Sequence, residues 1–70
     1  MRQKQKKERQ KEMAKHGYRG YIGLWYADTI ATNSTEARRN IAHKYNNGGY
    51  NARNRTITQL MKAIELKKDY

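Results

Sequence analysis

Apolar side chains are concentrated in one stretch of the chain, residues 18–32, with the sequence YRGYIGLWYADTIAT. Its glycines disfavour a helix, whereas its aromatic and β-branched residues fit a pleated strand. A hairpin that turns near Ala27 and Asp28 is possible, but no Asn-Gly or Asp-Gly pair marks a turn, so we predict one extended strand. Four of its side chains have few substitutes elsewhere and are expected in the core: Ile22, Leu24, Trp25 and Ile30.

The polar segment that follows predicts a helix over residues 34–46. Asn33 is a suitable N-cap, and Glu36 lies three residues later in the first turn. Small and apolar residues recur at helical spacing along one face, and the Asn-Asn-Gly-Gly run at 46–49 ends the pattern. This helix would pack its apolar face against the aromatic strand.

Residues 56–68 fit two interpretations. As a helix, Thr56 and Gln59 form a capping box, and apolar residues follow at helical spacing from Ile57 to Ile64. As a strand, the segment would pair with the aromatic strand and give a compact β-α-β unit of two layers. The local signals favour the helix. The predicted fold class is therefore a small α+β domain at residues 17–70, with the β-α-β arrangement as the alternative.

The first sixteen residues form a basic arm with seven Lys or Arg and two Glu. A helix drawn through residues 1–16 has almost no apolar face to bury, although most of its residues are good helix formers. We therefore expect an arm that is disordered or marginally helical. If it is helical, four lysines share one stripe along it: Lys4, Lys7, Lys11 and Lys15.

The net charge of +10 on 70 residues indicates something about function rather than about fold. So large a positive charge indicates a polyanion partner, and DNA or RNA is the commonest one because neutralising phosphates releases counterions. No run approaches the roughly 18 apolar residues of a membrane span, and no apolar segment of a secretory signal follows the first basic residues. We expect a cytoplasmic protein with no membrane partner.

Two short segments combine glycine, tyrosine and arginine, residues 17–21 and residues 48–55. Arginine binds phosphate, tyrosine rings stack on exposed bases, and glycine lets the backbone approach closely. With the four arm lysines, the candidate nucleic-acid-binding residues are Arg19, Arg39, Arg53 and Arg55 for phosphates, and Tyr18, Tyr21 and Tyr50 for bases.

No catalytic pattern accompanies these residues. The carboxylates that follow the arm form no pair suited to acid-base work, and His16 and His43 have no thiol or second histidine nearby. We expect a protein that is not an enzyme and that holds no cofactor and no metal. The alternative to nucleic-acid binding is a regulator or inhibitor that docks on the acidic surface of a larger protein. A homodimer is also possible, because a lone strand needs a neighbour.

Overall fold

The computed structural model describes residues 14–68, so residues 1–13 of the arm, with Lys4, Lys7 and Lys11, lie outside the described part. The elements follow in the order β1 (His16–Ile22), β2 (Trp25–Ala31), α1 (Ser34–Asn47), α2 (Ile57–Ala63) and β3 (Glu65–Lys68). β1 lies in the middle of an antiparallel sheet, between β2 and β3. The helices pack on one side of this sheet, around a core that joins Ile22, Ile41 and Leu60. The predicted α+β class is confirmed.

The prediction of one extended strand is wrong, because the aromatic stretch forms a hairpin. The register pairs Ile22 with Trp25 and leaves Gly23 and Leu24 as a two-residue turn. Gly23 has φ +62°, whereas Leu24 keeps an ordinary negative φ. That combination defines a type II′ turn, which needs glycine only at its first central position. A search for Asn-Gly or Asp-Gly detects type I′ turns and misses this one.

The hairpin also changes which side chains are buried. In β1 the even-numbered residues face the helices, but the two-residue turn places Trp25 opposite Ile22, so in β2 the odd-numbered residues face inward. Ile30 therefore points away from the core and is 61% exposed, and Leu24 at the turn is fully exposed. The prediction of a buried Leu24 and Ile30 is wrong, while Ile22 is buried as predicted and Trp25 is half-buried.

The hairpin and β3 supply the neighbours that a lone strand would need from a second copy. The two-residue turn makes Ile22 and Trp25 a hydrogen-bonded pair, so the backbone groups of Tyr26, Asp28 and Ile30 point toward the outer edge of β2. Lys44 reaches this edge from α1 and donates from Nζ to the carbonyl oxygen of Asp28 at 2.6 Å. A lysine at this place blocks edge-to-edge pairing with another strand.

Helix α1 forms as predicted and runs to Asn47. The Asn33 side chain accepts a hydrogen bond from the N–H of Glu36 at 2.8 Å. The Glu36 carboxylate in turn accepts from the N–H and the hydroxyl of Thr32, each at 2.9 Å. Local hydrogen bonds therefore define where this helix begins, which is why the sequence predicted the start correctly.

The end of α1 is a Schellman motif built on Gly49. Gly49 has φ +83°, its N–H donates to the carbonyl of Asn46, and the next N–H, of Tyr50, donates to the carbonyl of Tyr45. The apolar contact typical of the motif is present, since the rings of Tyr45 and Tyr50 lie 5.9 Å apart. This turn is what brings Tyr50 back against the helix.

Gly49→Ala is expected to lower the free energy of unfolding by about 1 kcal/mol, because a side chain disfavours the left-handed backbone. An added Cβ meets nothing within 4 Å, so the loss isolates the backbone effect. Chemical denaturation measures it. Gly49→Asn is the matched control and should lose less, since asparagine adopts this conformation more readily. Equal stability of Gly49→Ala and the parent protein would contradict the assignment.

The C-terminal segment combines both interpretations. The Thr56–Gln59 capping box is present, with reciprocal hydrogen bonds of 2.9 and 3.1 Å, and opens α2. The prediction of a helix to residue 68 is wrong, because the chain leaves the helix at Ile64 and continues as β3. Arg38 caps the helix end from α1, donating from Nη1 to the carbonyl oxygens of Ile64 (2.7 Å) and Met61 (3.3 Å). β3 then pairs with the edge of β1 that β2 leaves free.

Candidate functional site

Both helices pack on one side of the sheet, and within residues 14–68 no element covers the other side. We call this side the open face. The register places Tyr21 opposite Tyr26 and Glu65, and Arg19 opposite Asp28 and Lys67. The open face thus carries an aromatic row near the hairpin turn and a charged row beside it, and it consists of Arg19, Tyr21, Tyr26, Asp28, Ile30, Glu65 and Lys67.

Arg19 is held firmly on the open face. Its Nε and Nη2 donate to the two carboxylate oxygens of Asp28 at 2.7 and 3.1 Å, in a bidentate pair. The hydrogen bond to Asp28 raises the pKa of Arg19 above its usual range, so the guanidinium keeps its charge. The guanidinium carbon lies 4.6 Å from the centre of the Tyr26 ring, within cation–π distance.

The two tyrosines of the open face lie side by side. The ring centres of Tyr21 and Tyr26 are 5.7 Å apart, at an interplanar angle of 45°. Lys67 approaches the Tyr21 ring from β3, with Nζ 5.9 Å from its centre. Tyr26 is 53% exposed and Tyr21 is half-buried. Tyr21, Tyr26 and Arg19 therefore form a row of neighbouring planar groups.

The structure buries one of the tyrosines that the sequence analysis selected and exposes another that it did not select. Tyr18 is only 4% exposed and packs inward with Ala31 and Ala37, so its ring is not accessible to a base. Tyr26 was not selected, although it lies on the open face. The register of the hairpin is the signal that separates them, since it shows which tyrosines share the outward side.

Two predicted cations influence the Glu36 carboxylate in the first turn of α1. Lys15 precedes β1, Arg39 lies on α1, and both are exposed. The pKa of the Glu36 carboxyl is lowered mainly by its hydrogen bonds from the N–H and hydroxyl of Thr32, and further by the nearby charges of Lys15 and Arg39. Both cations therefore act on the same carboxylate at the start of α1.

The loop after α1 has a defined shape. The Asn51 side chain accepts from the N–H of Arg55 at 2.9 Å and donates to the Arg55 carbonyl oxygen at 2.7 Å. The Arg55 side chain is half-buried and its guanidinium lies 5.9 Å from the Tyr45 ring centre, whereas Arg53 is exposed. Of the two predicted loop arginines, Arg53 faces solvent and Arg55 packs against the domain.

Tyr50 belongs to an aromatic cluster at the hairpin end of the domain. Its ring lies 5.8 Å from Trp25, which in turn makes an edge contact with Tyr45 at 5.0 Å. Tyr50 nevertheless remains 54% exposed. Part of its ring therefore stabilises the domain, and it lies apart from the tyrosine pair of the open face.

Within residues 14–68 no group of three His, Cys, Asp or Glu side chains is arranged to hold a metal ion. Nor does that part of the chain contain a helix with the length and apolarity needed to cross a membrane. Comparisons with family models, with curated proteins and with solved structures find no significant match to this chain. Its function is therefore inferred from its residues and their geometry.

Proposed function

We propose that this protein is a non-catalytic nucleic-acid-binding protein that grips the phosphate backbone. The observation that carries the proposal is the excess of exposed positive charge. Residues 14–68 contain ten Lys or Arg against three Asp or Glu. Seven of those cations are exposed: Lys15, Arg39, Lys44, Arg53, Lys62, Lys67 and Lys68. Such a surface attracts polyanions by counterion release, without any need for a specific sequence.

The few carboxylates do little to offset this charge. Asp28 pairs with Arg19, and Glu36 lies near Lys15 and Arg39. Three carboxylates cannot offset ten cations, so the exposed cations keep a large excess of positive charge. Inside a cell, nucleic-acid phosphates are the commonest negatively charged groups that such cations can bind, so we also propose a cytoplasmic location.

The arm adds further positive charge in the sequence. Lys4, Lys7 and Lys11 precede Lys15, and the charges of Lys15 and Arg39 both act on Glu36. In the proposed complex the arm and α1 contact phosphates of one backbone, and Arg53 adds a contact from the loop. Each cation that neutralises a phosphate adds to the salt dependence of binding.

The test is a binding titration with labelled single-stranded and duplex DNA and RNA over a series of salt concentrations. We expect log K to fall linearly with log salt, by about 0.7 to 0.9 for each phosphate contact. Binding that does not change with salt, or no binding at low salt, would overturn the proposal.

A protein partner is the second candidate, and one observation favours it. Leu24 stands fully exposed at the tip of the hairpin, and Ile30 is exposed on the open face. Exposed apolar groups beside Tyr and Arg are typical of protein interfaces, and the net charge favours an acidic partner. Affinity capture with and without nuclease treatment separates the two functions, since only a protein partner survives digestion of nucleic acid.

A further inference from the structure

We propose that the open face is a stacking surface for the unpaired bases of a single-stranded nucleic acid. This inference rests on the proposed function and specifies its ligand. Its structural basis is the row formed by the adjacent rings of Tyr21 and Tyr26 and by the Arg19 guanidinium over Tyr26. Aromatic rings and guanidinium planes are the groups on which splayed-out bases stack.

The charges on the open face suit bases better than phosphates. Arg19 is paired with Asp28, and the two charged residues of β3 on this face, Glu65 and Lys67, have opposite signs. The open face is therefore nearly neutral within a strongly basic protein. A neutral surface attracts a phosphate only weakly. Its planar groups can stack against the uncharged face of a base.

Two exposed cations lie beside the open face, at the end of the sheet far from the hairpin turn. The register places Lys68 opposite Tyr18, on the helix side at the edge of the sheet, and Lys15 directly precedes β1. A single strand can place its phosphates on these cations and its bases on the tyrosines farther along the sheet. Positive charge along the backbone combined with aromatic platforms is the general arrangement for binding single strands.

A duplex cannot use the open face in this way. Its bases are already stacked and paired, so only its phosphates are accessible, and those fit the cations outside the open face. The geometry is also formed in advance, because Asp28 holds the guanidinium in place and the sheet holds both tyrosines. Little side-chain conformational freedom then has to be lost on binding.

The test compares Tyr26→Ala and Tyr21→Ala with the parent protein in the full chain. The probes are a labelled single-stranded oligonucleotide of about 12 nucleotides, long enough for one small domain, an abasic strand with the same number of phosphates, and a duplex. Each substitution is expected to weaken binding to the base-containing strand by roughly 5- to 100-fold, since stacking contributes about that much per base. Binding of the abasic strand and the duplex, and the salt slope, should not change.

Tyr26→Phe is the matched control, since it keeps the ring and should keep the affinity. Tyr26 is more than half exposed, so its alanine variant should fold, and circular dichroism with Trp25 fluorescence checks this. If the tyrosine variants bind all three probes as the parent does, the inference is wrong while phosphate binding stands. If the parent protein binds none of the probes at low salt, both proposals fail and a protein partner for the open face replaces them.

Discussion

Gly20→Ala is expected to lower the free energy of unfolding by about 1–3 kcal/mol, the usual cost of overpacking a core. Gly20 lies in the central strand, directly under α1. A Cβ added there would lie 2.9 Å from Cγ2 and 3.0 Å from Cγ1 of Ile41, and 3.0 Å from Cγ2 of Ile64. A domain of this size has only a few kcal/mol of stability. Chemical and thermal denaturation of the variant should therefore show a large unfolded fraction under mild conditions.

A double-mutant cycle with Ile41→Ala shows whether the clash is the cause. Ile41→Ala alone should cost about 2–5 kcal/mol, because it opens a cavity in the core. The two substitutions together should cost less than the sum of the single effects, since removing both Cγ atoms makes room for the new Cβ. Gly49→Ala, whose Cβ meets no neighbour, should lose only its backbone cost and should be additive with Ile41→Ala. Additive losses would show that Gly20 is not a point of close approach.

Replacing Lys4, Lys7 and Lys11 together by glutamine is expected to cause the largest loss of nucleic-acid affinity at physiological salt. If each lysine neutralises one phosphate, the slope of log K against log salt should become shallower by about 2 to 3. The measurement is the same salt series as for the parent protein. Because the variant keeps the full chain, the loss reports on charge rather than on truncation.

The matched control is Lys→Arg at the same three positions, which keeps the charge and should keep the slope. An unchanged slope in the glutamine variant would show that the arm makes no phosphate contact, even if the folded domain binds. In that outcome Lys15, Arg39 and Arg53 would make the phosphate contacts. The slope of log K against log salt would then show how many of these contacts form.

The elements that the sequence predicted well are those formed by neighbours in the chain. Asn33 and Glu36 mark the start of α1, and Thr56 and Gln59 mark the start of α2. Both starts depend on hydrogen bonds between residues three apart, which a short window of sequence contains. The end of α1 is equally local, since its glycine lies next to the last turn.

The candidate site was harder to predict, because its residues come together through strand pairing. Arg19 was recognised as a cation, but its partner Asp28 lies nine residues away across the hairpin. Tyr26 becomes a candidate site residue, and Tyr18 a core residue, only once the two-residue turn has set which positions face outward. A one-residue change in register would exchange the two faces, and no local property of a tyrosine indicates its side.

By itself the sequence determined the charge of this protein, the helix α1 with its caps, the start of α2 and the basic arm that precedes the domain. Composition and contacts within one helical turn are enough for these. Only the tertiary structure decided the hairpin register, the position of β3 and the composition of the open face. These depend on distant contacts, such as the Arg38 cap on Ile64 across 26 residues. Such contacts stabilise the protein only after the chain has folded back on itself, so local preferences for helix or strand do not reveal them.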